Sequence, residues 1–197
     1  ALAASKKDDK ESGFRVFAHG VIECAECLDA GILHCKSQVI LGTGWKHMPT
    51  ASGELAANVD VITQLSDRLP GPVPKFTWNC PFECDLLGKS PSGWPQLVVC
   101  VMTIDSQGQD VVVGYCRTHV PLQAGRKTIN LPIMKPLAAQ PKQALFSWVS
   151  GQPPEVKDLK FFTNVEDRGV VTMKRLPGYV RVSFDVSISG MKKMGYE

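Results

Sequence analysis

The chain has 197 residues, of which 44% are hydrophobic and 21% are charged, and its 22 basic and 19 acidic residues leave a formal charge of +3. This composition predicts one domain with a substantial core and excludes wholesale disorder, collagen and coiled coil. So small a net charge does not indicate nucleic acid as a partner. No apolar run approaches the roughly 18 to 20 residues of a membrane span.

Residues 1–13 are predicted to form a flexible tail that precedes a single domain over residues 14–197. The tail is polar and charged, and it lacks the apolar run of a signal peptide. The chain has seven cysteines, and this odd number favours reduced thiols in an intracellular protein over a disulfide framework.

Alternation of apolar and polar residues predicts an all-β fold. Within 75–86 the even-numbered residues are apolar and most of the odd-numbered ones are polar, which is typical of a strand with one buried face. Residues 180–189 repeat this alternation, whereas 97–104 (LVVCVMTI) is apolar almost throughout and predicts a strand covered on both faces. Weaker patterns predict further strands at 14–24, 31–41, 57–65, 110–120, 126–133 and 168–175.

One helix is predicted over residues 141–149 (PKQALFSWV). Its apolar side chains share one side, and Pro141 suits the first turn. About eight or nine strands with one short helix indicate a single antiparallel β-sandwich.

The cysteine spacing resembles a zinc site only in part. Cys24 and Cys27 could supply half of such a site, which needs a second pair that converges on the same ion. Cys80 and Cys84 do not provide that pair, because their thiols would lie about 13 Å apart along an extended strand. The pattern therefore favours core cysteines over metal ligands.

A thiol nucleophile is also disfavoured. Cys116 and His119 are three residues apart, so a regular strand would place them on opposite faces and out of hydrogen-bond reach. The other histidines have no obvious orienting acid, and no catalytic or phosphate-binding motif is present. The sequence therefore predicts a protein that is not an enzyme, with no catalytic residue and no cofactor.

The segment from Asp105 to Asp110 (DSQGQD) looks like the calcium-binding loop of C2 domains, because it joins two predicted strands and has a carboxylate at each end. Calcium takes six to eight oxygen ligands, usually from several carboxylates, and this loop offers two. We therefore favour a polar hairpin turn and retain Asp105 and Asp110 as candidate calcium ligands.

Two basic pairs are candidates for contact with an anionic membrane or a partner. They are Arg126 with Lys127, and Lys192 with Lys193 in the C-terminal sequence MKKMGYE. At about 1 kcal/mol per cation near an anionic membrane, these four charges are too few for firm anchoring. A solvated surface is the favoured interpretation.

Five short motifs, in this order along the chain, resemble those of the B9-domain proteins. They are Trp78-Asn-Cys-Pro81, Gly93-Trp94-Pro95-Gln-Leu97, Asp110-Val-Val-Val-Gly114-Tyr115, His119-Val-Pro121 and Met191-Lys-Lys-Met-Gly-Tyr196. The resemblance covers nearly the whole chain, from about Phe14 to Tyr196. The motif residues to which we assign a structural role are Trp78, Pro81, Gly93, Trp94, Pro95, Leu97, Gly114, Tyr115 and Pro121. In particular, Trp94 beside Pro95 would place a large ring at the end of the sandwich.

The resemblance implies a C2-related sandwich that acts as a non-catalytic scaffold in the transition zone and basal body, on the cytoplasmic side of the ciliary base. It implies partners among other B9-domain proteins and the subunits of the Meckel-syndrome and tectonic complex, which controls the entry of membrane proteins into the cilium. The alternative hypothesis is a peripheral phospholipid-binding module that needs no calcium and uses loops such as 105–110 and 87–93, or the basic tail.

Overall fold

The computed structural model describes residues 13–28, 30–48, 60–138, 140, 142, 145, 147, 149, 154–156, 158–163 and 171–196. Among these residues are ten strands and two short 3-10 helices, Leu159–Phe162 and Lys192–Met194. The strands are β1 (Phe14–Cys27), β2 (Ile32–Ile40), β3 (Trp45–His47), β4 (Asp60–Ile62), β5 (Ser66–Asp67), β6 (Lys75–Gly88), β7 (Gln96–Ile104), β8 (Asp110–His119), β9 (Gly125–Pro136) and β10 (Met173–Ser189). The prediction of an all-β antiparallel fold is confirmed.

The strands lie in the order β3-β6-β1-β10-β9-β8-β7-β2-β4, with β5 paired to β2. Among the described residues β8 and β9 share one register pair, Tyr115 with Met134, whereas β1 pairs along most of its length with both neighbours. The sheet curls over itself about this seam and brings β2 close to β6. The Trp78 indole N–H on β6 donates to the Leu33 carbonyl oxygen on β2 at 3.1 Å, which links the two layers through the interior.

The core lies between these layers, and β1 shows how the sequence forms it. Phe14, Val16 and Ala18 are fully buried, whereas Arg15 and Phe17 between them are exposed. Because successive side chains on a strand point to opposite faces, this alternation buries one face against the second layer. Removal of that apolar surface from water, at about 25 cal/mol per Å², is the main favourable contribution to folding.

Strand β7 is buried on both faces, as the sequence predicts. Its inward residues, such as Val99, join the main core. On the outer face Cys100 packs with Tyr115 in a second cluster, together with Val156 and Phe162 from the connection between β9 and β10. We call this connection, residues 137–172, the crossover. The crossover explains why β7 carries so few polar residues.

The two strands predicted at 168–175 and 180–189 are one strand in the structure, and the prediction of a break is wrong. β10 begins at Met173, and its register with β9 shifts between Arg175 and Tyr179. Within that interval Gly178 has φ +139°, and a Cβ there would lie 2.1 Å from the Glu26 carbonyl oxygen. The Pro-Gly pair that indicated a break therefore lies in a bulge within one strand.

Several predicted elements lie partly outside the described residues. Residues 1–12 of the tail, 57–59 of a strand, 168–170 of another and much of the helix at 141–149 belong to this group. The described residues 142, 145, 147 and 149 are helical. The short strands β3 and β5 were not predicted. Within the described part of the chain, no helix combines the length and the hydropathy needed to cross a bilayer.

Candidate interaction surface

The strand directions place the loops at two opposite ends of the sandwich. Segments 41–48, 88–95, 120–127 and 189–196 lie at the end where β1 begins, which we call the basic end. The 105–109 hairpin lies with the start of β10 at the other end, which we call the crossover end. The nine residues of β7 separate the two ends by roughly 30 Å.

An aromatic cluster forms the interior of the basic end. The Trp94 ring lies 5.1 Å from Trp45, nearly perpendicular to it, and 6.1 Å from Phe14. The Trp94 indole N–H donates to the Val120 carbonyl oxygen at 2.8 Å, and that of Trp45 donates to the Ser92 carbonyl oxygen at 3.0 Å. Such ring pairs add about 0.5–1.5 kcal/mol each beyond their burial, so these loops are held firmly.

Two glycines allow loops of the basic end to touch. Gly93 has φ +69°, and a Cβ on Gly42 would lie 2.3 Å from the Gly93 Cα. The Gly42 N–H donates to the Gly93 carbonyl oxygen at 3.0 Å. A side chain at either position would force the loops apart, which explains the glycine that precedes Trp94.

The C-terminal segment is folded onto this end. Met194 and Tyr196 both donate backbone N–H groups to the Met191 carbonyl oxygen, at 2.9 and 3.2 Å, and Gly195 adopts φ +81° between them. The Tyr196 ring lies 6.1 Å from Phe14, at the edge of the aromatic cluster. This turn leaves Lys192 and its neighbour Lys193 exposed.

The described loops of the basic end carry charge of one sign, and Asp85 on the adjacent β6 is paired with Arg15. Among the described residues, its four segments contain no aspartate or glutamate and six cations. These cations are Lys46, Lys89, Arg126, Lys127, Lys192 and Lys193. At the crossover end both signs occur among the described residues, with carboxylates at Asp67, Asp105 and Asp110 and cations at Lys174 and Arg175. The small net charge therefore hides a separation of charge along the sandwich.

A groove of about 480 Å³ separates the 120–127 loop from the C-terminal turn. Its apolar lining includes Leu122, which is 63% exposed, and Met191, while Lys192 and Lys193 complete the lining. Sequence reasoning treated the two basic pairs separately and missed this groove. Its walls are about 70 residues apart in the chain, so no local pattern could reveal it.

The calcium candidates have partners inside the protein. Asp105 Oδ1 accepts hydrogen bonds from the backbone N–H groups of Gln107 and Gln109, at 2.8 and 2.9 Å. Asp110 Oδ1 lies 3.4 Å from Nε2 of the buried His34. Among the described residues, no group of three or more histidines, cysteines or acids is arranged to hold a metal. Whether the loop binds calcium stays a prediction.

Six of the seven cysteines are buried, and Cys80 is half-buried. Burial raises the pKa of Cys35, Cys84 and Cys100 to about 12 and that of Cys116 well above its usual value. Cys116 Sγ lies 3.8 Å from the Leu131 carbonyl oxygen, which can accept its S–H. Since the thiolate is the nucleophile, these cysteines are poorly suited to covalent catalysis.

Cys116 and His119 point to opposite sides of β8. Cys116 is buried, whereas His119 is exposed. The structure therefore does not bring them together as a catalytic pair.

The remaining motif residues lie on strands or in the loops directly beside them. Pro81 is exposed opposite Val21, whereas Pro95, Leu97 and Pro121 are buried.

Two further motif residues lie at the seam between β8 and β9. Gly114 allows the close approach of the strands, because a Cβ there would lie 2.7 Å from Ile133 Cγ2. The Tyr115 hydroxyl accepts from the Val156 N–H at 2.9 Å and so ties the crossover to β8. A pocket of about 300 Å³ beside Tyr115 is lined by Met134 at the seam, Phe162 of the crossover and Met173 at the start of β10.

The loops proposed for membrane contact do not lie together. Loop 105–110 is at the crossover end, and loop 87–93 is at the basic end. One flat membrane could not contact both at the same time. The basic tail is the part of that hypothesis that shares an end with loop 87–93.

Comparison with known proteins gives a consistent result. The family model B9-C2, described as "Ciliary basal body-associated, B9 protein", matches residues 16–187. The chain is 36% identical to B9 domain-containing protein 1 of Xenopus laevis, over 94% of this chain and 89% of that protein. It is 33% identical to the Homo sapiens protein of the same name, over 94% and 87%.

More distant proteins match as well. B9 domain-containing protein 2 of Rattus norvegicus is 29% identical, over 68% of this chain and 71% of that protein. A solved C2 domain of plant Extended Synaptotagmin 1 aligns over 89% of this chain and 95% of its own, with 12% identity and a TM-score of 0.42. With the family model covering most of the sandwich, the chain belongs to the B9 protein family, which is described as ciliary basal body-associated.

Proposed function

We propose that this protein is a non-catalytic scaffold at the ciliary base that assembles with other B9-domain proteins. In this proposal it is a subunit of the Meckel-syndrome and tectonic complex in the transition zone, on the cytoplasmic side of the membrane. The complex supports cilium assembly and controls which membrane proteins enter.

The observation that carries the proposal is the family match over residues 16–187, which spans β1 to β10 and both ends of the sandwich. Since the match extends along almost the whole fold, the relation is not confined to one shared loop or motif. The Xenopus laevis and Homo sapiens proteins named B9 domain-containing protein 1 each match over 94% of this chain.

The chemistry of the interior supports a role without catalysis. The thiols of Cys35, Cys84 and Cys100 have pKa values raised to about 12 by burial, so very little thiolate exists near neutral pH. His34 faces Asp110 at 3.4 Å, but it is buried beneath the surface. These groups serve the fold rather than a substrate.

The test is quantitative affinity purification of the tagged full chain from ciliated cells, combined with imaging at the ciliary base. We expect enrichment of other B9-domain proteins and tectonic-complex subunits. A matched control is Val182→Asp, which places a charge in the fully buried core and should unfold the protein.

Proteins recovered equally with Val182→Asp are bound non-specifically and do not count as partners. The proposal fails if the folded wild-type chain recovers no B9-domain protein and does not concentrate at the ciliary base.

A further inference from the structure

We propose that the basic end binds an acidic segment of a partner protein, which inserts one apolar side chain into the groove between the 120–127 loop and the C-terminal turn. This inference rests on the proposed function and specifies the chemistry of one partner contact. It unites the two basic pairs, which the sequence alone leaves 65 residues apart (127 to 192).

Positive charge surrounds the groove. Lys192 and Lys193 line the groove, and Arg126 and Lys127 follow its other wall in the chain. The neighbouring strands add few compensating acids among the described residues: Asp185 lies opposite Arg126 in the register of β9 and β10. The surplus of positive charge favours an anionic partner, steers its approach and opposes cationic ones.

The groove is concave and has apolar walls. Leu122, Met191 and Tyr196 give it apolar walls beside the two lysines, and Leu122 is 63% exposed. An apolar floor with charges around it is the arrangement in which one buried anchor residue supplies much of a binding energy. A membrane surface offers no such side chain, so the concave shape favours a peptide.

Contacts within the protein hold the walls of the groove in place. The groove is built on the aromatic cluster, where Trp94 bonds to the Val120 carbonyl oxygen and Tyr196 contacts Phe14. Because these walls are ordered by contacts within the protein, a ligand would spend little free energy on ordering them.

The alternatives within this chain and at the strand edge are less favourable. Residues 1–12 bring no net negative charge, because their acids equal their bases in number: Asp8, Asp9 and Glu11 against Lys6, Lys7 and Lys10. Strand addition to β9 is opposed by the exposed Lys127 and Pro132, residue types that discourage pairing at sheet edges. An acidic segment of a second protein therefore matches the groove and its charges better than either alternative.

The test is binding of the purified full chain to a capped poly-glutamate peptide with one central phenylalanine, followed by fluorescence anisotropy. We expect affinity to fall about tenfold or more when the phenylalanine is replaced by alanine, because the anchor is lost. Lys192→Glu with Lys193→Glu should weaken binding by a similar factor, and Leu122→Ala should weaken it without a change of charge.

Lys174→Glu with Arg175→Glu is the matched control, because it reverses two exposed charges at the crossover end. We expect it to bind the peptide like the wild type, and all variants to melt at nearly the wild-type temperature. The proposal is overturned if neither peptide binds, if both charge reversals weaken binding equally, or if phosphatidylserine vesicles bind while the peptides do not. The wild-type purification described above decides separately whether the scaffold role itself fails.

Discussion

The two ends of the sandwich use polar residues in different ways. At the crossover end, Asp105 and Asp110 are engaged by backbone N–H groups and by His34. At the basic end, exposed cations such as Lys192 lie on loops that pack over the aromatic cluster. The described residues of these four segments include no aspartate or glutamate. The acidic side chains of the crossover hairpin are therefore tied to groups within the protein, whereas the described loops of the basic end present positive charge alone.

The largest expected effect comes from disrupting the aromatic cluster inside the basic end. Trp94→Ala removes a buried ring and the hydrogen bond to Val120, and large-to-small changes of this kind cost about 3 to 5 kcal/mol. That is a large share of the roughly 5 to 15 kcal/mol of a typical domain. We expect assembly to fail through lost stability, which urea denaturation measures directly.

Trp94→Phe is the matched control, because it keeps a ring at this position and loses the indole N–H. It should cost clearly less than the alanine variant. Unchanged stability of Trp94→Ala together with lost partner binding would mean that the ring is a contact residue instead.

A smaller effect is expected when the crossover is loosened. Tyr115→Phe removes the hydroxyl that accepts from the Val156 N–H, at a cost of about 1 to 2 kcal/mol. Because Cys100 lies beneath the crossover, its thiol should react faster with a labelling reagent in this variant. Cys116, on the other face of β8, should not change; equal acceleration of both would indicate global rather than local opening.

The buried thiols also predict a dependence on alkaline pH. Their pKa values are raised in the folded protein, so the stabilisation is complete below the unfolded value near 9 and declines as the pH rises toward the folded values. Melting temperature should be flat near neutral pH and fall above about pH 9. The slope should be shallower in Cys116→Ala and closer to that of the wild type in Cys80→Ala, whose thiol is half-buried.

Identical alkaline slopes in the wild type and in Cys116→Ala would show that the Cys116 thiol does not contribute in this way. The measurement is a series of thermal melts over pH, with lysine and tyrosine titration common to all variants.

The smallest expected effect is that of calcium. Ligation by Asp105 and Asp110 would raise stability by about 2.7 kcal/mol at a hundredfold excess over Kd. We expect no rise in melting temperature between chelator and millimolar calcium, because most coordination positions would fall to water. A rise that disappears when both aspartates are replaced by asparagine would contradict this expectation and favour a membrane-bridging loop.

Much of the fold follows from periodicity. The alternation in 75–86 and the apolar run 97–104 predicted β6 and β7 correctly, because strand faces and burial leave a direct trace in sequence. The break predicted before residue 180 failed, since a Pro-Gly pair marks turns and bulges alike and only the register against β9 distinguishes them.

The candidate surface was less accessible to sequence reasoning. Lys192 and Lys193 stood out as a charged pair, but their groove depends on β8, β9 and β10 bringing Leu122 to the C-terminal turn. Such proximity is a property of the topology. The same holds for the contact of Gly42 with Gly93.

The roles of the two ends can be compared directly in cells. Affinity purification from ciliated cells would be repeated with Lys192→Glu plus Lys193→Glu and with Lys174→Glu plus Arg175→Glu, each at matched expression and melting temperature. We expect recovery of at least one B9-domain or tectonic-complex partner to fall several-fold with the first variant and to stay at the wild-type level with the second. Equal recovery with both variants, or a loss confined to the second, would contradict this expectation.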